Sequence, residues 1–268
     1  MPKYALHAVN YKGKVVVTNP KQLPTFTNAE FAAHCLDVEL GKEVGFQHQG
    51  SKLSNGEKSY SDETKLLFST DGSVVEVARN DPFLSKYSIV IIDEAHERNM
   101  RIDLLLVLMK RALKLNKELK LIVMSATLPG NLFYDYYKEF SIINLKVSGN
   151  PNKPVHDYYL NSPIKNKNEL VEYSVELVME EIIRKKRKGD ILIFVNSYSE
   201  AKKTIFLLQQ KLSEEPIEKI FAIPIASEVK DERIKNLAKD ENLFRKEPGG
   251  PWDRKIVVGT NQLESSIT

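Results

Sequence analysis

Short β-branched runs recur along the chain: "KVVVT" (14–18), "KLLFST" (65–70), "SIVII" (88–92), "KLIVM" (120–124), "SIINLKV" (141–147), "DILIFV" (190–195), "KIFAIP" (219–224) and "KIVVGT" (255–260). Each predicts a strand. Several are continuously apolar rather than alternating, which suits central strands covered on both faces of a parallel sheet. Helical spacing appears between them. Ile102, Leu105, Leu106, Met109, Ala112 and Leu113 predict a helix over 102–115. Leu170, Val171, Ser174, Val175, Leu177, Val178 and Ile182 mark a second, which ends in "RKKRKG". Ala201, Ile205, Leu208 and Leu212 mark a third. Strand–helix alternation implies βαβ units with right-handed crossovers, whose functional loops lie at the carboxyl ends of the strands. The stretch "SGNPNKPVHDYYLNSPIKNKN" (148–168) is rich in Pro, Asn, Lys and Ser and reads as a linker. The expectation is two α/β domains, 1–150 and 151–268, each a mostly parallel sheet flanked by helices.

Composition narrows the class. At 268 residues, 42% hydrophobic and 28% charged, the chain has enough apolar material for real cores. A net charge of +3 is compatible with nucleic acid without demanding it. The single cysteine, Cys35, excludes an internal disulfide and a Cys-rich zinc site, and is read as a small core residue. The purely aliphatic run Leu104 to Met109 is too short to span a bilayer, and the N-terminal residues lack a signal-peptide core. A soluble intracellular protein, cytoplasmic or nuclear, with no membrane partner is expected.

Chemistry concentrates in "IIDEAHER" (91–98). Asp93 and Glu94 stand at the tip of an apolar strand. One carboxylate there can hold Mg²⁺ through water while its neighbour orients or deprotonates an attacking water. Acidic residues also end strands for no catalytic reason, so the pair alone is weak. His96 has no histidine at zinc-binding spacing. The next strand ends in "SAT" (Ser125, Ala126, Thr127), which puts both motifs at one sheet edge, on adjacent strands.

With "TDG" (70–72) upstream, this ordered set resembles the core of the DEAH-box helicases, superfamily two ATP-dependent RNA-unwinding enzymes built from two RecA-like domains. The resemblance implies ATP (or another NTP) and Mg²⁺ as cofactors, and RNA as partner; the residues do not distinguish RNA from DNA. It implies that Asp93 holds Mg²⁺ through water, that Glu94 positions the attacking water, and that His96, Ser125, Ala126 and Thr127 couple nucleotide state to the second domain. Nucleic-acid contacts would come from Thr18, Pro20 and Lys21 in "TNPKQL", from Thr70, Asp71 and Gly72, and, in the second half, from Asn196, Ser197, Thr260 and Asn261. Glu264 and Ser265 would face the nucleotide cleft.

The chain departs from the family pattern in places. Asn19, Lys21 and Gln22 replace the usual Gln and paired Arg, which leaves one cation for a phosphate. Glu76-Val77 stands where an Arg-Glu is usual and removes another. The phosphate-binding pattern G-x-x-x-x-G-K-[ST] is not found. Gly13-Lys14 is followed by Val15 and Gly41-Lys42 by Glu43, so both are decoys. The family's arginine-rich motif is also not found. The resemblance is therefore to the central part of the family, with both RecA-like lobes incomplete. Its other segments, or an accessory protein, are further candidate partners. Two readings stay open: a fragment or truncated form of an NTP-hydrolysing helicase, and a non-catalytic RNA- or partner-binding remnant. A stand-alone metal-dependent hydrolase is a third, weaker one.

Overall fold

A computed structural model describes residues 1–53, 55–126, 131–146, 154–164, 166–226, 228–229, 231–240, 242–261 and 263. The chain divides into two compact units, Met1–Asn150 and Pro151–Thr268.

Unit 1 runs α1 (Pro2–Ala8), β1 (Val15–Asn19), α2 (Gln22–Leu36), β2 (Val44–Gln47), β3 (Leu66–Thr70), α3 (Asp71–Asn80), β4 (Ile89–Ile92), α4 (Met100–Leu115), β5 (Lys120–Val123) and α5 (Leu132–Tyr137). Its strands form one parallel sheet in the order β2-β3-β1-β4-β5. The continuous apolar runs are the central strands: β1 and β4 are buried at every position. Alternate residues feed two cores. Val16, Val90 and Ile92 meet Ile102, Leu105 and Met109 of α4, together with Val74 and Ala78 of α3. Val15, Val17 and Ile91 meet Ala29, Ala32 and Ala33 of α2 on the other face.

Unit 2 runs α6 (Lys167–Leu177), which continues as a π-helical turn over Val178–Arg184, then β6 (Ile191–Phe194), α7 (Tyr198–Glu214), β7 (Ile220–Ile225), α8 (Glu232–Lys239) and β8 (Arg254–Gly259). The sheet is parallel, in the order β6-β8-β7. β8 is its buried centre. Arg254 is buried because its guanidinium is saturated: Nε and Nη2 donate to Glu218 at 2.6 and 3.0 Å, and the remaining donors reach the carbonyls of Gly189 and Arg187. A buried charge is tolerated only when paired and hydrogen-bonded in this way.

Two expectations are corrected, the strand at 141–147 and the core position of Cys35. Residues 141–146 of "SIINLKV" form no strand, and Val147 lies outside the described residues. Ile143 and Leu145 are 83% and 72% exposed; β-branching without a neighbouring strand to pair leaves the run irregular. Cys35 is exposed on α2 rather than in the core. α2 escaped prediction because Pro24 falls inside it. Proline is tolerated there because it sits in the first turn, where its missing N–H has no intrahelical acceptor. "RKKRKG" is a solvated helix end whose cations pair with acids: Arg184 with Glu180 and Glu215, Lys185 with Glu181. Trp252 is a packing anchor, edge-on to Phe221 at 5.2 Å, with its indole N–H on the Glu247 carbonyl.

Candidate functional site at the carboxyl edge of the first sheet

Parallel strands bring their carboxyl ends to one edge. Thr18 pairs with Ile92 across β1–β4, Asn19 with Thr70 across β1–β3, and Ile92 with Val123 across β4–β5. Residues far apart in sequence therefore meet: Thr18 and Asn19, Thr70 and Asp71, Asp93 and Glu94, and Ser125 and Ala126 all follow or end neighbouring strands. Gly13-Lys14 precedes β1 and Gly41-Lys42 precedes β2, so both lie at the opposite ends of their strands. A strand of this length separates them from the acidic loop by roughly 15 Å.

The acidic loop is held from both sides. The Asp93 N–H donates to the Thr18 carbonyl at 3.2 Å, and the Ala95 N–H to the Met124 carbonyl at 3.0 Å. Between these two anchors Glu94 takes a left-handed conformation, φ 53°, before a single 3₁₀ turn over Ala95–Glu97. A non-glycine residue there is strained by on the order of 1 kcal/mol, and such strain persists only when the surroundings over-determine it.

Asp93 is half-buried at the strand tip. Its Oδ1 accepts the Glu94 N–H at 2.9 Å and its Oδ2 accepts the Asn19 amide at 3.3 Å. Asn19 is itself buried, and its Oδ1 accepts from Asn28 of α2 at 3.3 Å. Burial pushes the Asp93 carboxyl up, against the pull of those two donors. Glu94 is also pushed up, by desolvation and then by the Asp93 charge. His96 Nδ1 lies 3.4 Å from Glu94 Oε2 but closes no hydrogen bond.

The residues fit a magnesium ion held through water. Asp93 has no Lys or Arg ion pair among the described residues, and its oxygens keep spare acceptor positions. No group of three or more His, Cys, Asp and Glu side chains suits a metal among those residues. That disfavours an all-protein cage and suits an ion that rests on one carboxylate plus substrate phosphates.

Asp71 is the least expected member. It opens α3, is 1% exposed, and neither carboxylate oxygen has a hydrogen-bond partner. The adjoining Thr18 hydroxyl is likewise buried; it and the Asn99 side chain lie close enough to Asp71 to favour its charged form without closing a hydrogen bond of good geometry. Desolvation pushes the Asp71 carboxyl up to about 6; the polar side chains of Thr18 and Asn99 pull the other way, Glu97 adds to the rise, and Arg101 opposes it weakly. Thr70, before it, is the residue ahead of α3 and shares a 3.0 Å hydrogen bond with Ser73. Lys21, the cation expected to meet a phosphate, is 3.4 Å from Glu97. Pro20 sits half-buried beside it.

Unit 2 gathers its candidates in the same manner. Asn196 and Ser197 follow β6, Thr260 and Asn261 follow β8, and those two strands pair. The side chains of Asn196 and Ser197 have structural work. Ser197 caps α7, accepting the Glu200 N–H at 3.3 Å. Glu200 reaches back to the N–H and side-chain amide of Asn196 at 3.0 and 3.2 Å, a reciprocal capping arrangement. Thr260 donates its N–H to the Ile225 carbonyl, and Asn261 is exposed. Thr127, Glu264 and Ser265 lie outside the described residues. Asn19 and Asn99 were missed as site residues. Asn19 touches Asp93 only because strands 74 residues apart are neighbours; Asn99 had a local signal, a capping side chain just ahead of the apolar helix, where it accepts the Arg101 and Ile102 N–H groups at 2.9 Å.

A parallel α/β sheet with an acidic loop at its carboxyl edge defines a broad class of proteins that bind ligands at that edge. The comparisons with known proteins make the class particular. Residues 4–133 match the family described as DEAD/DEAH box helicase, so unit 1 carries a DEAD/DEAH box helicase domain. Over its whole length the chain is 34% identical to L540 of Acanthamoeba polyphaga mimivirus, named as an inferred ATP-dependent RNA helicase, and covers 36% of it. It is 30% identical, over 96% of its length, to the ATP-dependent RNA helicase HrpA of Borreliella burgdorferi, and covers 29% of that protein. The fold matches two crystal structures of Escherichia coli HrpB. One, described as a DExH-box NTPase, has a TM-score of 0.73 at 24% identity and covers 99% of this chain and 30% of that one. The other, described as a DEAH/RHA helicase, has a TM-score of 0.71 at 25% identity, with 96% and 30% covered. The fold is thus RecA-like, and the chain spans about a third of the length of the curated relatives it matches. Among the described residues no helix is long and apolar enough to cross a membrane.

Proposed function

We propose that this chain is the central part of an ATP-dependent RNA helicase of the DEAH class, coupling NTP hydrolysis to unwinding of nucleic acid. Units 1 and 2 are then its first and second RecA-like lobes. The observation that carries the reading is the doubly anchored acidic loop, with Asp93 and the strained Glu94 set at the carboxyl edge beside Thr18, Thr70 and Ser125. Mg²⁺, when bound, neutralises charge on the nucleotide phosphates. Asp93 holds it through water, kept in place by the Asn19 amide and the Glu94 N–H. Glu94 accepts a proton from, or orients, the attacking water; its raised carboxyl basicity suits a general base. By the family resemblance His96, Ser125 and Ala126, with Thr127 beyond the described residues, would couple nucleotide state to the second lobe, and Glu264 and Ser265, also outside the described residues, would face the nucleotide. Thr18, Pro20, Lys21, Thr70, Asp71 and Gly72 in unit 1, and Asn196, Ser197, Thr260 and Asn261 in unit 2, would each contact the nucleic acid. Hydroxyls and backbone N–H groups grip sugar and phosphate without reading sequence. Asp71 enters this set as a buried support for Thr70 and Gly72.

The competing reading is a non-catalytic RNA-binding protein of the same fold. The 268 residues contain no G-x-x-x-x-G-K-[ST] loop, and the two readings differ in whether such a loop completes the protein. RNA-stimulated ATP hydrolysis by this chain and by Glu94→Gln tests both. Single-stranded RNA binding with negligible turnover in both proteins is expected, because no phosphate loop is encoded. A clear rate that disappears in Glu94→Gln would show that the chain hydrolyses ATP unaided and would sink that expectation. Absence of RNA binding would remove the helicase reading itself.

A further inference from the structure

An anionic strand needs cations that are not already neutralised. Three stand around the start of α4 and the acidic loop. Lys21 is paired with Glu97 at 3.4 Å. Arg98 is held by a two-pronged bond to Asp103, Nε to Oδ1 at 2.6 Å and Nη2 to Oδ2 at 3.1 Å. Arg101 makes no ion pair among the described residues, although it is exposed and lies close enough to Asp71 to influence it weakly.

Its placement is defined. Asn99 caps α4 and accepts the Arg101 N–H at 2.9 Å, which fixes the backbone from which the side chain leaves. The side chain then lies over Gly72. A Cβ added to that glycine would stand 3.4 Å from Arg101 Nη1 and 3.5 Å from Cδ and Cζ. The Arg101 side chain, from Cδ to the guanidinium, thus lies alongside Gly72 at the start of α3. The carboxylate beside it, Asp71, is 1% exposed and faces the interior, so the solvent side of this spot presents the cation. A guanidinium offers phosphate a planar fork of donors, better matched than an ammonium. Position 101 also supplies charge where the sequence has lost it, since Glu76-Val77 follows the same segment without a cation.

We propose that Arg101 is a backbone-phosphate contact of this edge: alongside Gly72, it grips the strand that Thr70 and Gly72 are placed to hold, while Lys21 is largely spent on Glu97. The proposal rests on the strand contacts given above. Its test is binding of a mixed-sequence single-stranded RNA to the full chain, by fluorescence anisotropy across a salt series, for wild type, Arg101→Gln, Arg101→Lys and Lys21→Gln. Urea unfolding of each variant checks that the fold is retained. Arg101→Gln is expected to weaken binding about three- to tenfold at low salt and to reduce the salt slope by about 0.7, the loss of one single-strand phosphate contact. Arg101→Lys keeps the slope with intermediate affinity, and Lys21→Gln loses less than Arg101→Gln. If Arg101→Gln binds with wild-type affinity and slope, the assignment of Arg101 is wrong and the other strand contacts stand. If the wild-type chain binds no RNA, both fall together.

Discussion

The two sheets end in opposite kinds of edge. Among the described residues, both Asp71 oxygens, the Thr18 hydroxyl and His96 Nδ1 at the carboxyl edge of unit 1 are buried without a hydrogen bond of good geometry, as is the Ser61 hydroxyl away from it. Glu94 is strained, and Asp93 has no Lys or Arg ion pair among the described residues. In unit 2 two of the corresponding residues are tied into the fold: Ser197 caps α7, and Asn196 donates to Glu200 from its N–H and its side-chain amide. At the opposite end of β8 the charges are also paired, Arg254 with Glu218 and the buried Lys255 ammonium with the carbonyls of Ala238 and Asp240 at 2.8 Å each. Buried groups without good hydrogen bonds cost free energy, and four of the five such atoms among the described residues lie at this edge of unit 1, which supports the proposal that it holds a ligand. If both edges contact a strand as proposed, the first has groups free of structural duty to offer it, whereas Asn196 and Ser197 of the second must also cap α7.

Three substitutions probe that contrast. The largest effect is expected from Gly259→Ala in unit 2. A Cβ there would stand 2.2 Å from the Ile225 carbonyl, at the end of the β7–β8 ladder. Relief requires the backbone to shift, at a cost of about 3 kcal/mol or more. Trp252, the single tryptophan, packs within unit 2 and reports the loss as a lower urea midpoint by fluorescence. An unchanged midpoint would mean that this edge is looser than its packing indicates.

Asp71→Asn acts in the opposite direction. The folded carboxyl titrates near 6 against an ordinary 3.8, so its contribution to stability is full below about pH 4 and is lost as pH rises through 6. A shift of that size corresponds to roughly 3 kcal/mol at most. The neutral isostere should therefore stabilise unit 1 above pH 6 and flatten its pH profile between 4 and 6, read by hydrogen exchange of unit 1 amides. A variant as unstable at pH 7.5 as the wild type would show that the buried carboxylate has partners in solution.

The smallest effect is Ser197→Ala, which removes a helix cap and should lower the unit 2 urea midpoint by about 1 kcal/mol equivalent. If it instead weakens RNA binding with no change in that midpoint, Ser197 is a strand contact first, and the contrast between the edges narrows.

The chain announced some of this architecture plainly. "KVVVT" and "SIVII" were legible because a strand covered on both faces is apolar throughout, and α4 because Ile102, Leu105 and Met109 share one face. β2 was hidden: "VGFQ" is short, and Gly45 interrupts it because a Cβ would crowd the Ser59 carbonyl at 2.8 Å. α3 was hidden behind its own first residues, since "TDG" reads as a turn and yet the helix begins at Asp71. α2 buries small alanines, which carry little periodic signal. "SIINLKV" misled because β-branching states a preference and pairing decides. At the site, Asp93 and Glu94 were readable from motif and order alone. The support of Asp93 by Asn19, the burial of Asp71 and the pairing of Lys21 with Glu97 depend on which strands are neighbours, and no local pattern encodes that.

The central claim is that Glu94 directs water onto a nucleotide phosphate. It is tested most directly in a chimera of Borreliella HrpA that carries this chain in place of the matching segment, with and without Glu94→Gln. RNA-stimulated ATP turnover that falls on the order of 10²–10⁴-fold in the substituted chimera, with RNA affinity unchanged, is the predicted result. Turnover that is equal in both chimeras would contradict it.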